Sequence, residues 1–219
     1  MCGRDNRKTG DETGCMLCPR SCGARRDQGE TGACGQTDVV RVARAALHYW
    51  EEPCISGTAG SGTVFFSGCP LHCVFCQNKS VADGTAGRAV TVERLAAIFL
   101  ELQEKGANNI NLVTPGHFIP QTAAALIRAK EKGLNVPVVF NSGGYESVDV
   151  LRQLEGLVDL WLPDFKYMDP AIAARYSHAP DYPEAAKAAI AEMVRQSGPP
   201  VFAGGDEEGL MLRGTIVRH

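Results

Sequence analysis

Three cysteines follow one another at spacings of four and three residues in the stretch CPLHCVFC, at Cys69, Cys73 and Cys76. They come directly after a strand-like run at 62–67. A loop that carries three thiolates can hold three corners of a cubane iron–sulfur cluster and leave the fourth iron without a protein ligand. A structural zinc ion prefers four ligands, commonly in two close pairs, and a lone triad after a strand fits such a site poorly. The triad therefore predicts a reactive iron–sulfur cluster rather than a zinc knuckle or three unrelated core thiols.

Composition limits the partners that such a cluster can serve. The chain has 219 residues, a net charge of −3 and a pI of about 6.0, so it offers no sign of a basic surface for nucleic acid. No apolar run approaches the length of a membrane span, and the N-terminus lacks the apolar core of a secretory signal. We expect a cytoplasmic protein with one sizeable domain, or one domain with a small appendage.

A second group of cysteines precedes the triad. Nine cysteines are many for a chain without an export signal, and in a reducing compartment clustered thiols are more often metal ligands or catalysts than disulfides. The four thiols of this group have the spacing C-x2-C-x3-C-x11-C, and neighbouring glycines allow the turns that fold backbone around a metal. So small a segment, at 15–38, needs a metal to stay folded. We predict a second metal centre, zinc or iron–sulfur, with four separate buried thiols as the alternative. Its ligands would be Cys15, Cys18, Cys22 and Cys34.

The segments on either side of this group carry weaker signals. Residues 1–14 are polar and contain glycine, which is typical of a flexible N-terminus. We interpret residues 39–61 as a connecting segment that ends in a glycine-rich loop, with Cys54 as a small buried hydrophobe. His48 and the Glu51–Glu52 pair could act in catalysis, but a histidine beside aromatic residues more often packs or caps.

From residue 62 onward the chain alternates strand-like and helix-like stretches. Predicted strands lie at 62–67, 109–113, 136–140, 158–162 and 211–217, and predicted helices at 91–104, 121–132, 148–154 and 183–196. This order predicts an α/β domain at 62–219 with a parallel sheet, in which the loops after the strands gather at one edge. Because the chain stops soon after the fifth strand begins, we expect an open sheet edge, left by truncation or completed by a partner.

The cysteine loop and its companion motifs resemble those of the radical S-adenosylmethionine (radical SAM) enzymes. Within that superfamily the cluster loop is similar to that of the glycyl-radical-enzyme activases, such as the pyruvate formate-lyase activating enzymes, and the wider pattern is more similar to an uncharacterised branch of that group. The motifs are CMLCPRSCG, EEPCISGTAGSGTVFFSGC, NINLVTPGHF, VVFNSGGYE and LWLPDFKY, and the similarity covers about residues 15–219. The resemblance implies a partial (β/α)6 barrel, here incomplete from the fifth strand, that binds one [4Fe–4S] cluster and SAM. It also implies an electron donor such as flavodoxin or ferredoxin, and allows a glycyl-radical enzyme as the protein partner.

The resemblance assigns expected roles to single residues. Phe75 would lie with its backbone against the adenine of SAM. Asn141 and Ser142 stand where the activases carry an Asp-Thr pair, and Asp164 and Lys166 match an Asp-x-Lys segment near SAM. A carboxylate and an ammonium group beside a zwitterionic sulfonium make electrostatic sense.

One motif departs from the activase pattern. The activases typically carry Gly-Gly-Glu after the second strand, where it helps to bind the amino group of SAM, whereas this chain has the tetrapeptide TPGH at 114–117. Thr114 or His117 would then have to provide the missing contact.

These observations lead to one expected function and two alternatives. The expected function is reductive cleavage of SAM to a 5′-deoxyadenosyl radical, which abstracts hydrogen from a protein glycine or another substrate. One alternative is a radical SAM enzyme that acts on an unrelated small molecule or protein. The other is a non-catalytic iron–sulfur or zinc protein.

Overall fold

A computed structural model describes residues 14–204 and 209–219, so the predicted flexible N-terminus lies outside the described residues except for Gly14. The strands are β1 (Arg41–His48), β2 (Ser61–Phe66), β3 (Arg88–Ala89), β4 (Ile110–Val113), β5 (Val138–Ser142), β6 (Leu160–Pro163), β7 (Val201–Phe202) and β8 (Met211–Thr215). The α-helices are α1 (Pro53–Ser56), α2 (Lys79–Ala82), α3 (Val92–Glu104), α4 (Ile119–Glu131), α5 (Val148–Leu151), α6 (Pro170–Ser177) and α7 (Tyr182–Ser197). Short 3-10 turns lie at Arg26–Gln28, Gly116–Phe118 and Arg152–Leu154.

The described strands form one mixed sheet in the order β3-β1-β2-β4-β5-β6-β8-β7. Its centre, from β2 through β4, β5 and β6 to β8, is parallel, while β1, β3 and β7 pair antiparallel at the two sides. Helices connect successive parallel strands, as crossovers of this kind require. The parallel centre confirms the predicted α/β arrangement and brings the loops after the strands to one edge.

Each parallel strand is covered by helices on one face. The side chains of Val64, Leu112, Phe140 and Trp161 face α3, α4 and α7 and belong to one large apolar cluster. Residues that alternate with them, among them Val139 and Leu162, point to the opposite face. Successive side chains of a strand point to opposite faces, and a parallel sheet is buried on both faces. Both sets of alternating residues are therefore apolar.

Helix α3 shows how directly the sequence specifies an element. Its buried side chains Leu95, Phe99 and Leu102 recur at helical spacing. The side chain of Thr91 accepts a hydrogen bond from the Arg94 backbone N–H at 3.1 Å, which satisfies one of the free donors of the first turn. The helix therefore begins where the sequence predicts it.

Two parts of the sheet differ from the sequence-based expectation. Residues 39–61, interpreted as a connecting segment, contain strand β1, which pairs antiparallel with β2. The strand was missed because none of its residues is buried, so no face shows a clear apolar period. On the other side, β7 pairs with β8, with Val201 opposite Arg213, at the edge that we expected to be open.

Helices long and apolar enough to span a bilayer do not occur in the described part of the chain. The eight cysteines within this part are all free thiols.

Candidate cofactor site

The loop that carries the cysteine triad, residues 67–78, begins at the carboxyl end of β2 and is fixed at its start by the N-terminal segment. The Cys69 backbone N–H donates to the carbonyl of Cys34 at 3.1 Å. Gly68 has φ +90°, and a Cβ at this position would lie only 2.5 Å from the same carbonyl oxygen. Only glycine allows this close approach, so the predicted cluster loop and the N-terminal cysteine segment are in direct contact.

The three thiols of this loop lie against one group of aromatic and small side chains. Cys73 is buried and accepts a hydrogen bond from the Ser177 hydroxyl at 2.9 Å, whereas Cys69 and Cys76 are partly exposed. The pKa of Cys69 is raised to about 11, chiefly by desolvation and also by the neighbouring thiols Cys73 and Cys76. The backbone N–H groups of Leu71 and His72 favour the thiolate and oppose this shift. The apolar neighbours are Leu71, Tyr145, Tyr167, Ala173, Ala179, Tyr182 and Ala186.

The triad can be compared with what a cubane cluster needs. A cubane cluster binds each thiolate at a different iron, so three thiols on one loop can hold three of its corners. Within residues 14–204 and 209–219, no three His, Cys, Asp or Glu side chains converge as ligands of one metal ion. The apolar packing around the thiols and the backbone N–H groups that favour the Cys69 thiolate are features on which the properties of a bound cluster depend.

The aromatic residue predicted to lie near adenine is exposed. Phe75 has 56% of its surface accessible, and its ring stands edge-on to that of Tyr167 with centroids 6.3 Å apart. The neighbouring Val74 is held in place by its backbone N–H, which donates to the carbonyl of Tyr176 at 3.0 Å. An exposed ring on a fixed backbone is available to a ligand.

The Asp164 and Lys166 side chains form an ion pair directly after β6. The Lys166 backbone N–H donates to the Tyr182 hydroxyl at 2.9 Å, and this hydroxyl lies 2.8 Å from the carbonyls of Gly143 and Asp164. Tyr182 thereby joins the loops that follow β5 and β6. Its burial, the largest influence on the phenol, raises its pKa well above the usual range, so the hydroxyl remains protonated.

Asn141 and Ser142 are the last two residues of β5 rather than loop residues. The Asn141 side-chain oxygen accepts a hydrogen bond from Arg218 at 2.6 Å, and its amide lies 3.4 Å from a Glu51 carboxylate oxygen. The Ser142 hydroxyl donates to Glu146 at 3.1 Å. Both predicted residues therefore lie at the same sheet edge as Asp164.

The TPGH residues occupy two different environments. Thr114 is partly exposed, with φ +57°, and its N–H donates to the Asn141 carbonyl at 2.8 Å. His117 is buried, and its Nε2 lies 2.7 Å from the carbonyl of Ser67 at the start of the cluster loop. Desolvation lowers the pKa of His117 to about 3, so the ring is neutral and Nε2–H is the donor. His117 thus supports the cluster loop from beneath.

Sequence reasoning missed Glu146, which is buried at this edge. One of its carboxylate oxygens would lie 2.7 Å from a Cβ on Gly116, so the carboxyl packs directly on the TPGH turn. Desolvation raises its pKa to about 7, while the Ser142 hydroxyl opposes the shift. Glu146 stands in the quoted motif VVFNSGGYE, but nothing local in that motif indicates that its side chain turns inward.

Arg218 was also missed, although it connects several of the predicted residues. Its guanidinium donates to Asp164 at 3.0 Å and lies 3.6 Å from Glu51 and 3.7 Å from Glu52. Desolvation raises the pKa of Glu51, while Arg218 opposes that shift. The Glu51–Glu52 pair, which the sequence offers only as a weak catalytic candidate, is therefore part of a charged network at the sheet edge.

The four N-terminal cysteines lie close together and next to the cluster loop. Cys18 and Cys34 are buried and Cys22 is exposed. A Cβ on Gly32 would lie 3.5 Å from the Cys22 sulfur and 3.6 Å from the Cys34 sulfur. The structure thus brings together residues that are up to 19 positions apart in the sequence.

Comparison with known proteins agrees with this geometry. The sequence model of the Radical SAM superfamily matches residues 63–204, which include the triad and the carboxyl ends of β4, β5 and β6. An uncharacterised protein of Methanocaldococcus jannaschii is 29% identical over 175 residues, which is 77% of this chain and 50% of that relative. The chain thus spans about half of the length of the curated relative that it matches. With three thiols on the loop after the first parallel strand and a family match over most of its length, this chain belongs to the radical SAM superfamily.

Proposed function

We propose that this protein is an enzyme similar to the glycyl-radical-enzyme activases. Membership of the superfamily implies a [4Fe–4S] cluster and SAM as co-substrate. With one electron from a donor such as flavodoxin or ferredoxin, this pair supplies methionine and a 5′-deoxyadenosyl radical, which takes a hydrogen atom from a substrate C–H and leaves 5′-deoxyadenosine. The substrate that we propose is a glycine Cα–H of a partner protein in the cytoplasm.

One observation carries the proposal: the triad loop adjoins an edge where the predicted SAM-binding residues meet. Asp164 and Lys166 present opposite charges there. The Arg218 guanidinium donates hydrogen bonds to both Asp164 and Asn141 and so connects Asn141 to this pair. SAM carries a carboxylate, an ammonium group and a sulfonium, so a mixed set of charges suits it better than charges of one sign. The buried hydroxyl of Tyr182 holds the two loops that carry these groups.

Glu146 supplies a carboxyl group beside the TPGH turn, where the activases have the glutamate of their Gly-Gly-Glu segment. Its carboxyl packs against Gly116, so the TPGH turn receives a carboxyl group from the loop after the neighbouring strand. We propose that Glu146 and Thr114 bind the amino group of SAM, and that His117 acts indirectly by holding Ser67 at the base of the cluster loop.

The test begins with reductive cleavage of SAM. Protein reconstituted anaerobically with iron and sulfide, then reduced with dithionite, is expected to form 5′-deoxyadenosine. Cys73→Ala should abolish this activity, because it removes one of three cluster ligands. Cys54→Ala is the matched control, because Cys54 belongs to neither cysteine group. A reduced protein with a full cluster that forms no 5′-deoxyadenosine would refute the enzymatic proposal.

The glycine substrate needs a second measurement. A peptide whose glycine carries deuterium at Cα is expected to transfer deuterium into 5′-deoxyadenosine. Cleavage of SAM without deuterium transfer, from this peptide and from intact glycyl-radical enzymes alike, would contradict the activase proposal. It would favour the superfamily chemistry on another substrate.

A further inference from the structure

The four N-terminal cysteines lie on two tight backbone turns that face each other. In the first turn, the Cys15 N–H donates to the Ala24 carbonyl at 3.0 Å, and the Gly23 N–H donates back to the Cys15 carbonyl at 3.1 Å. In the second, Gly32 and Gln36 are joined at 3.0 Å around Cys34. Gly32 has no side chain at the point that the sulfurs of Cys22 and Cys34 both approach.

A buried cation lies against the same group. Arg26 is 5% exposed, and its guanidinium donates to the carbonyls of Gln36, His117 and Thr37 at 3.1, 2.8 and 2.5 Å. It also lies 3.7 Å from the Cys15 sulfur. Among the residues that the structure describes, it meets no carboxylate. A buried charge without a counterion is costly, and a metal bound by four thiolates has the negative charge that would balance it.

We propose that Cys15, Cys18, Cys22 and Cys34 form a second, four-thiolate metal centre, separate from the cluster at Cys69, Cys73 and Cys76. Across the described ranges, no three of these side chains yet converge on one point. Binding therefore requires the thiols to rotate inward on turns that are already formed. The four-thiolate chemistry suits a zinc ion and an iron–sulfur centre alike, and metal analysis distinguishes the two.

The position of this centre gives it a second effect, on the cluster loop. The Cys34 carbonyl accepts the Cys69 N–H, and the Ala33 carbonyl lies 2.8 Å from His72 Nε2. Arg20, between Cys18 and Cys22, donates to the Pro70 carbonyl at 2.9 Å. Metal bound at the four thiols would fix the turns from which these three bonds come, so we expect it to stabilise the loop that carries the first cluster.

Metal content tests the proposal without any reference to activity. Zinc and iron are measured in anaerobically purified and reconstituted full-length protein, in Cys73→Ala, in Cys22→Ser and in Cys54→Ser. Cys22 is chosen because it is exposed, so that serine leaves no buried cavity. We expect Cys73→Ala to lose about four irons and to keep the second metal, Cys22→Ser to lose the second metal, and Cys54→Ser to keep both.

The measured metal decides the outcome. One zinc per chain, or iron in excess of the first cluster, supports the centre if it disappears in Cys22→Ser while circular dichroism stays unchanged. If Cys22→Ser instead unfolds, a variant with alanine at Cys69, Cys73 and Cys76 is titrated with Co²⁺, and thiolate-to-cobalt charge-transfer bands then support the centre. The proposal is overturned if this folded triple variant holds no metal and takes up no Co²⁺ through thiolates, or if folded Cys22→Ser keeps the full metal content.

Discussion

Glu146 provides the sharpest test of how the sheet edge is built, because its carboxyl is buried at the edge where the loops meet. Its pKa is about 7 in the folded protein and 4.5 for an ordinary glutamate. Between these two pH values the unfolded chain releases a proton that the folded chain retains. The stability that comes from the buried, protonated carboxyl is therefore fully present below pH 4.5 and is lost as the pH rises through 7.

The size of the effect follows from the two pKa values. Each pKa unit corresponds to about 1.4 kcal/mol, so the free energy of unfolding falls by roughly 2.5 kcal/mol between pH 5 and pH 8 through this one group. Glu146→Gln removes the ionisation but keeps the shape and a hydrogen-bonding partner for Ser142. We expect the variant to gain stability relative to the wild type by about this amount over the same interval.

Denaturant unfolding at pH 5, 6, 7 and 8 measures the difference, with the fluorescence of the fully buried Trp161 as the probe and equal metal content in both proteins. Glu184→Gln is the matched control, since it makes the same change at a site that is 82% exposed. The free energy of unfolding of Glu146→Gln minus that of the wild type should increase from pH 5 to pH 8. A value that stays constant, or that decreases as the pH rises, would refute the buried-carboxyl reasoning.

Three further substitutions test the elements that position the site, each by the free energy of unfolding. Thr91→Ala should cost about 1 kcal/mol, because it removes the cap of α3, and an unchanged stability would contradict that role. Leu102→Ala should lower the free energy of unfolding by about 2–5 kcal/mol, because Leu102 is 2% exposed in the main core. A decrease below about 1 kcal/mol would mean that the core around Leu102 is not tightly packed. Gly144→Ala should destabilise by more than about 1 kcal/mol and weaken SAM binding, because Gly144 has φ +73° and a Cβ would lie 2.5 Å from the Asp164 carbonyl. Gly133→Ala, at φ +101° but with no neighbouring atom in reach, separates the backbone effect from the clash.

The sequence predicted what depends on local pattern and failed where distant segments meet. Helix α3 and the parallel strands follow from apolar periodicity, and the two thiol groups follow from spacing alone. Arg218 is 54 residues from Asp164, and they meet only because β6 and β8 are parallel neighbours. Glu51 lies 90 residues from Asn141. Such pairs could not be derived from spacing, since the contact depends on which strands become neighbours.

The roles of single polar residues were equally hard to predict from their identity. His117 was expected to contact SAM, a role that stays a prediction, yet it is buried beneath the loop and bonded to Ser67. The carboxyl near the TPGH turn comes from Glu146 on the next loop instead of from the turn itself. A motif thus predicts which chemical groups a site needs more readily than which residue supplies them.

The cluster loop and the N-terminal turns depend on different sources of stability. The loop has no regular structure between β2 and α2, so fixing its backbone costs roughly 1–2 kcal/mol per residue. Its anchors come from the whole chain: the Cys34 carbonyl at Cys69, His117 at Ser67, and α6 through the Tyr176 carbonyl at Val74. The hydrogen bonds that hold the loop thus come from the N-terminal turns, from the turn after β4 and from α6.

The N-terminal turns have little apolar burial of their own. Many of their hydrogen bonds are local, and Arg20, Arg26, the Ala33 carbonyl and the Cys34 carbonyl bond them to the rest of the chain, but their large apolar residues are few. A segment of this kind cannot offset its conformational entropy by burial, which is the situation in which metal binding supplies the folding free energy. Because the Cys34 carbonyl is one of the anchors of the cluster loop, the proposed second metal would act on the first cluster through the backbone. Its loss should loosen the loop at Cys69 while the parallel sheet remains intact.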